Sequence, residues 1–231
     1  MKPYFETSLG QLYHGDCLEI MPHLGPVDLF IADPPYGIDY QSARRTDKTQ
    51  WKPKIANDMH PFIWFFWPAF CVGKEPSVML CFCRWDVQEP FKLAAEWAGY
   101  TVRSQVIWDR EVHGMGDLDG AFGPRHDIVW FCTKGAYKFP GKRPMSIVKS
   151  QRLSGEKLVH PNEKPVGLIQ DLVSQLLDGD TVLDPFLGSG TTAVACERLN
   201  RRWIGIEISE QYCEIAAKRI EQEAAQLKLF A

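Results

Sequence analysis

The feature that most constrains the fold is a regular alternation of strand and helix patterns in the last third of the chain. Residues 181–183 predict a short strand, a glycine-rich loop follows, a helix pattern runs to Leu199, and 203–208 predict another strand. Alternating strands and helices favour an α/β fold, a doubly wound and mostly parallel sheet with flanking helices. In such a sheet, ligands bind at the carboxyl ends of the strands.

The first half of the chain continues this pattern with more apolar strands. Residues 27–32 (VDLFIA) and 77–83 (SVMLCFC) are apolar on both faces, as buried parallel strands are. The other elements are predicted as strands at 11–16, 101–108 and 128–132 and as helices at 61–72, at 86–98 and from Pro165 as first residue. No repeat or linker divides the 231 residues, so we expect a single catalytic domain, 1–231.

The loop after the strand at 181–183 predicts a cofactor site. It runs from Asp184 to Ala193 with the sequence DPFLGSGTTA. Its glycines allow a ligand to approach the backbone closely, and the helix start offers free N–H groups. Glu207 follows at the end of the next strand, where an acid binds the two hydroxyls of a ribose. The pattern therefore indicates a nucleoside cofactor, and a tight turn with a surface glutamate is the simpler alternative.

A second motif, Asp33-Pro34-Pro35-Tyr36, follows the apolar strand at 27–32. Two prolines remove two backbone donors and keep the preceding residues extended. The Asp33 carboxylate and the Pro34 carbonyl are then free to accept both hydrogens of an exocyclic amino group. Held in this way, the nitrogen becomes pyramidal and its lone pair can attack. The Tyr36 ring can stack on a base taken out of the duplex; alternatively, the prolines only end a strand and Tyr36 is a core residue.

A third segment, HPNEKP from His160 to Pro165, is by itself a polar helix entrance. Together, the three segments resemble the motifs of the amino-group DNA methyltransferases that use S-adenosylmethionine. The catalytic motif precedes the cofactor loop, which is the order of their β group, and the resemblance runs from about Gln11 to Ile220. Relatives that methylate ribosomal RNA or protein glutamine usually have the opposite order. The resemblance implies a Rossmann-like methyltransferase fold.

The resemblance also implies roles for individual residues. The motif that holds the base amino group is Asp33, Pro34, Pro35 and Tyr36. The residues assigned to the cofactor are Asp16, Cys17, Asp33, His160, Asn162, Lys164, Pro165, Asp184, Pro185, Phe186, Gly188, Ser189, Gly190, Thr191, Thr192 and Glu207. In that set, Asp16 is expected at the adenine of the cofactor, Glu207 at its ribose and Lys164 near its methionine end.

The activity implied is transfer of a methyl group from S-adenosylmethionine to adenine N6 in duplex DNA, with base flipping and direct attack by the amino nitrogen. Family members that act on cytosine N4 more often have Ser in place of Asp33, so adenine is favoured and cytosine is the alternative. A non-catalytic DNA-binding relative is a more distant alternative. An NAD-type dinucleotide protein would leave the Asp33–Tyr36 motif unexplained.

The distribution of charge supports a nucleic-acid partner, although the net charge is −3. Residues 41–54 carry five basic residues and one acid, and 133–157 carry seven basic residues and one acid. Two basic islands in an acidic protein suggest a positive face if the fold brings them together, and two solvated loops otherwise. The basic residues assigned to DNA are Arg44, Arg45, Lys48, Lys138, Lys142, Arg143, Lys149 and Arg152. The larger island lies in a short insert, about 109–159, that we expect to recognise DNA.

Cysteine usage and hydropathy predict a cytoplasmic protein, and the resemblance implies a bacterial or phage origin. The seven cysteines are scattered and are expected to be free, buried thiols with no nucleophilic role. No apolar stretch approaches the roughly 18 residues of a membrane span, and the start of the chain has no signal-peptide pattern. No metal site is expected. A homodimer and a companion restriction nuclease are left open.

Overall fold

A computed structural model describes residues 1–37, 58–112, 119–151, 163–176 and 181–229. Within these ranges the chain forms one nine-stranded sheet. Its strands are β1 (Phe5–Glu6), β2 (Gly10–His14), β3 (Val27–Ala32), β4 (Gly73–Cys83), β5 (Thr101–Asp109), β6 (His126–Lys134), β7 (Ile147–Lys149), β8 (Thr181–Asp184) and β9 (Arg202–Glu207). Every strand predicted from the sequence is present, whereas β1 and β7 were not predicted.

The helices are α1 (Cys17–Ile20), α2 (Phe66–Val72), α3 (Gln88–Trp97), α4 (Val166–Ser174), α5 (Thr191–Arg198) and α6 (Glu210–Leu229). The prediction that α2 begins at residue 61 is wrong by five residues. Pro61 forms an isolated bridge with Tyr36, and the Phe62 N–H donates to the Pro35 carbonyl, so this backbone is extended. Pro165 caps α4 in an extended conformation and is not its first helical residue.

The strand order is β1-β2-β9-β8-β3-β4-β6-β5-β7. The five strands from β2 to β4 in this order are mutually parallel, β6 is antiparallel to both β4 and β5, and β7 is parallel to β5. This mixed, mostly parallel sheet with flanking helices confirms the predicted fold class. The chain moves outward in one direction from β8 to β9 and in the other from β3 to β4. The boundary between β8 and β3 is therefore a topological switch point.

The sheet separates two apolar cores, which explains why β3 has no polar face. Leu29 and Ile31 pack in the core that contains α4, α5 and α6. Phe30 and Ala32 pack in the opposite core, with α2 and α3. Successive strand side chains point to opposite faces, so a strand covered on both sides must be apolar at nearly every position.

All seven cysteines lie in the described ranges, and none is in a disulfide. Six are buried, and burial raises the pKa of Cys17 and of Cys83 to about 12. The prediction that all of them are buried is wrong for Cys71, which is exposed on α2. Among the described helices, none combines the length and apolar character needed to cross a membrane.

Candidate active site

Four carboxylates from distant parts of the chain lie along one edge of the sheet. Asp33 follows β3, Asp184 ends β8, Glu207 ends β9, and Asp16 lies just beyond β2. These four strands are adjacent and parallel, so their carboxyl ends face the same side. The structure thus brings together the glycine loop and the Asp33 motif, which lie about 150 residues apart in the chain.

The glycine loop is shaped by its backbone and by the helix behind it. Gly188 and Gly190 have φ of 55° and 88°, in the left-handed region that glycine adopts without strain. A Cβ on Gly190 would lie 3.1 Å from the Cβ of Ala216, so α6 packs closely against the loop. Leu187 N donates to the Ile206 carbonyl at 2.9 Å, which fixes the loop to β9. Gly190 is the N-cap of α5 and supplies no side-chain cap, so the first N–H groups of the helix lie at the loop.

Glu207 connects this loop to the end of β9. Its carboxylate accepts from Gly188 N and from Ser209 N, both at 2.8 Å. The residue is only 8% exposed, and burial raises the pKa of its carboxyl more than the backbone N–H donors lower it. A carboxylate can accept about four hydrogen bonds, so Glu207 can hold the loop and still accept from ligand hydroxyl groups.

Asp184 is buried at the start of the loop and holds the loop in place through hydrogen bonds. Its two oxygens accept from Phe186 N at 2.9 Å and from Thr192 Oγ1 at 2.5 Å, so the carboxylate closes the loop onto α5. Burial raises the pKa of Asp184 to about 7, with smaller contributions from the negative charges of Asp33 and Glu207. The neutral and ionised forms of this carboxyl are therefore both accessible near neutral pH.

Asp33 is held by two side chains. Lys164 Nζ forms an ion pair with one carboxylate oxygen, and the Tyr36 hydroxyl donates to the other. The Asp33 side chain is 25% exposed and that of Lys164 only 11%. Lys164 Nζ also lies 5.1 Å from the centroid of the Phe82 ring, a cation–π distance. Lys164 was expected near the methionine end of a cofactor, and the contact with Asp33 was not foreseen.

Tyr36 is fixed at both ends of its side chain. Its hydroxyl donates to Asp33, and its ring meets Phe91 edge to face at 6.4 Å between centroids. Burial and the adjacent Asp33 charge raise the pKa of the Tyr36 hydroxyl well above its ordinary value. The stacking of the Tyr36 ring on a base stays a prediction, and the hydroxyl bond to the neighbouring carboxylate adds a second contact at this residue.

A segment that the sequence did not single out closes one side of the site. Asp58 Oδ1 accepts from Gly37 N at 2.8 Å, directly after the Asp33–Tyr36 motif. Phe62 and Phe65 meet the half-buried Phe186 edge to face, at 5.8 and 5.1 Å between centroids. These rings form an apolar wall next to the glycine loop, and only an aromatic-rich composition at 62–67 could have indicated it.

The remaining predicted positions fall into three groups. Asp16 caps α1 by accepting from Leu18 N at 2.8 Å, while its neighbour Cys17 is a core residue. Pro165 and Pro185 are buried beside the site. The residues that lie outside the described ranges are Arg44, Arg45, Lys48, Arg152, His160 and Asn162.

Four basic residues of the larger island are exposed, whereas Lys134 at its start is half-buried and donates to the Phe70 and Gly73 carbonyls. Lys138, Lys142 and Arg143 lie between β6 and β7 in a segment without helix or strand, and Lys149 ends β7. Lys149 pairs in register with Asp109. Both residues end their strands, on the same side of the sheet as the Asp33–Tyr36 motif.

Comparisons with known proteins agree with the geometry of the site. A family described as DNA methylase, of the N6/N4 type, matches residues 27–218. YubD of Escherichia coli (strain K12), provisionally named a methylase, is 30% identical over 92% of this chain and 90% of its own length. The type II methyltransferase M.ScaI of Streptomyces caespitosus is 28% identical over 98% of this chain and 86% of its own.

Two solved structures share the fold. The M1.HpyAVI–SAM complex aligns with a TM-score of 0.71 at 23% identity and covers 91% of this chain and 100% of its own. The cytosine-N4-specific PvuII DNA methyltransferase aligns with a TM-score of 0.74 at 17% identity and covers 97% of this chain and 94% of its own. Because an enzyme specific for cytosine N4 also has this fold, the fold does not distinguish adenine from cytosine as the methylated base.

Proposed function

The chain belongs to the N6/N4 DNA methylase family, and on that premise we propose that it methylates the exocyclic amino nitrogen of adenine in duplex DNA. Membership gives the coarser activity, S-adenosylmethionine-dependent methylation of a DNA amino group. The choice of adenine is the finer proposal, and cytosine N4 is the alternative. A non-catalytic DNA-binding relative is less well supported, since both the amino-binding motif and the cofactor loop are intact.

The observation that carries this proposal is the pairing of β3 with β8. Leu29 and Phe30 lie in register with Val182 and Leu183, so the loops that follow the two strands are neighbours. One loop presents the acceptors of the Asp33–Tyr36 motif and the other presents glycine backbone. A methyl donor in one loop and an acceptor nitrogen at the other would then be in contact, as direct transfer requires.

The residues around the glycine loop fit S-adenosylmethionine. Glu207 is buried, fixed by backbone donors and able to accept from ribose hydroxyl groups. Asp16 lies on the adjacent strand end, with an oxygen that caps α1 and acceptor capacity for an adenine amino group. The Phe62, Phe65 and Phe186 rings offer an apolar wall suited to an aromatic base. When bound, this cofactor supplies an electrophilic methyl group on a sulfonium centre.

Asp33 and the Pro34 carbonyl act on the amino group. In a free base the amino lone pair is delocalised into the ring, and two acceptors that bind its two hydrogens favour the pyramidal, nucleophilic nitrogen. Lys164 and the Tyr36 hydroxyl already hold the carboxylate in one orientation, so little reorganisation is needed when the base arrives. Each Asp33 oxygen has a second lone pair with which it can accept an amino hydrogen.

Adenine is favoured over cytosine because the motif begins with an aspartate. Cytosine-specific members of the family more often have serine at this position. The aspartate supplies a charged acceptor for the amino group, and charge-assisted hydrogen bonds are about twice as strong as neutral ones.

The proposed partner is duplex DNA, bound in part by residues 109–159. The exposed lysines and arginine near β7 lie within this range. The anionic phosphates of DNA attract such basic side chains whatever the base sequence. M.ScaI and other relatives of this chain are named type II methyltransferases, which supports a role in bacterial restriction and modification. A companion nuclease and a homodimer belong to this proposal as well.

The experiment that tests the function combines methyl transfer to DNA with analysis of the nucleosides. Purified protein is incubated with unmethylated genomic DNA and S-adenosylmethionine, and the DNA is then digested and analysed by mass spectrometry. We expect N6-methyladenine, and its loss in Asp33→Ala with the fold retained by circular dichroism. If N4-methylcytosine is found instead, cytosine is the methylated base and the proposal of adenine is wrong. If no DNA is methylated, the non-catalytic DNA-binding alternative is supported.

A further inference from the structure

We infer that Arg219 is a positioning residue that connects the cofactor loop to the catalytic carboxylate, acting through Glu163 and Lys164. Arg219 lies on α6, the last helix, and no predicted motif includes it. The inference rests on the proposed function, because it assigns Arg219 a part in bringing the two halves of that site together.

Arg219 contacts both segments that it is proposed to connect. Its Nη1 lies 2.6 Å from Glu163 Oε1. The same nitrogen lies 3.2 Å from the carbonyl and from the Oγ of Ser189, and 3.3 Å from Thr191 Oγ1. One guanidinium therefore binds the glycine loop, the start of α5 and the segment that leads into α4.

The pair with Glu163 is strong because that carboxylate is removed from water. The Glu163 side chain is 3% exposed and that of Arg219 is 24% exposed. A buried carboxylate that loses its cationic partner is strongly destabilised, so the native arrangement keeps Glu163 directed towards α6. All of these acceptors lie near one nitrogen, Nη1, whose place is set by the rigid, planar guanidinium.

Fixing Glu163 also fixes Lys164. Lys164 precedes Pro165, which disfavours helical backbone at Lys164 and keeps it extended. Side chains that follow each other in extended backbone point to opposite sides. Glu163 accordingly reaches Arg219, while Lys164 reaches the Asp33 carboxylate and the Phe82 ring.

Two substitutions separate the two connections of Arg219. Arg219→Met removes its bonds to both the loop and Glu163, so kcat is expected to fall about tenfold or more and the KM for S-adenosylmethionine to rise. Glu163→Gln leaves the bonds of Arg219 to Ser189 and Thr191, so kcat should fall while that KM stays within about twofold. Arg219→Lys keeps a cation beside Glu163 and is expected to recover much of kcat but not the KM.

Arg198→Met is the matched control. Arg198 on α5 forms a two-bond salt bridge with Glu223, one turn beyond Arg219 on α6. Its removal loosens the same helix without touching the site, so both constants should stay within about twofold of wild type.

The test measures kcat and KM on a DNA substrate, calorimetric affinity for S-adenosylhomocysteine and the melting temperature of each variant. The expected result is lower kcat in both Arg219→Met and Glu163→Gln, with weaker S-adenosylhomocysteine binding only in Arg219→Met. If both variants behave like Arg198→Met, with a lower melting temperature alone, Arg219 is merely structural and the inference is wrong. If Arg219→Met does not fold, Glu163→Gln with unchanged kcat overturns it. A wild-type protein that methylates no DNA overturns the proposed function first, and the inference with it.

Discussion

Lys164→Met is the substitution that most directly tests how Asp33, the proposed catalytic carboxylate, is held. It removes the charge that pairs with Asp33 and keeps a chain of similar length to pack on Phe82. The resemblance assigns Lys164 to the methionine end of the cofactor, whereas the structure puts its ammonium on Asp33. The two assignments predict different kinetic constants for the same variant.

The size of the effect follows from burial. The Lys164 side chain is 11% exposed and that of Asp33 25%, so the pair is mostly but not wholly desolvated. Loss of one partner of a fully buried pair costs about 3–5 kcal/mol. Partial exposure and the surviving Tyr36 bond reduce this, and we expect about 1–3 kcal/mol. If the loss appears in the transition state, kcat falls between about fivefold and about 150-fold.

The assay compares kcat at saturating S-adenosylmethionine with calorimetric affinity for S-adenosylhomocysteine. We expect a large fall in kcat with affinity within about twofold of wild type, and partial recovery in Lys164→Arg, which keeps the charge. Weakened affinity with kcat unchanged would refute the reasoning and return Lys164 to the cofactor. Arg198→Met again controls for a general loss of stability.

Four further predictions concern other parts of the site. Tyr36→Phe, which loses only the hydroxyl bond to the catalytic carboxylate, should lower kcat by up to about tenfold, and Tyr36→Ala should lower it further; equal kcat in Tyr36→Phe and wild type would mean that only the ring matters. Glu207→Ala should weaken S-adenosylmethionine binding in calorimetric titration while DNA affinity is unchanged, and intact cofactor affinity would remove Glu207 from the site. Neutralising Lys142 and Arg143 together should reduce the slope of log DNA affinity against log salt by up to about 2, whereas an unchanged slope would identify an ordinary solvated loop. Burial raises the pKa of Asp184 to about 7, so protonation of this carboxyl stabilises the folded state fully below about pH 4, and the stabilisation is lost as pH rises to about 7. The free energy of unfolding, measured with urea at several pH values, should therefore fall across this range in wild type and fall less in Asp184→Asn.

Much of the local structure could be predicted because it depends on short-range physics. The apolar run of β3 ends where two prolines remove backbone donors, and the structure ends the strand at Ala32. The glycine loop could be located after β8 and before α5 because glycine adopts without strain the positive φ found at Gly188 and Gly190. The family resemblance of these segments was also recognisable, since the motifs are continuous in sequence.

The errors have local causes as well. The aromatic segment from residue 61 has helical composition, yet its first residues are extended because they pair with the Asp33–Tyr36 motif. β7 is only three residues long, with Ile147 and Lys149 exposed, so it is too short for an apolar periodicity to mark it. Both segments take their conformation from tertiary pairing and not from a local sequence pattern.

The sequence by itself determined most of the strands and helices, where the glycine loop lies and which carboxylates follow strands. Only the tertiary structure decided that β8 lies beside β3, that Lys164 contacts Asp33, and that Arg219 joins Glu163 to the glycine loop. The physical reason is the range of the interactions. Backbone preference and apolar periodicity act within a few residues, whereas a buried ion pair depends on which distant chain segments pack together and exclude water around it.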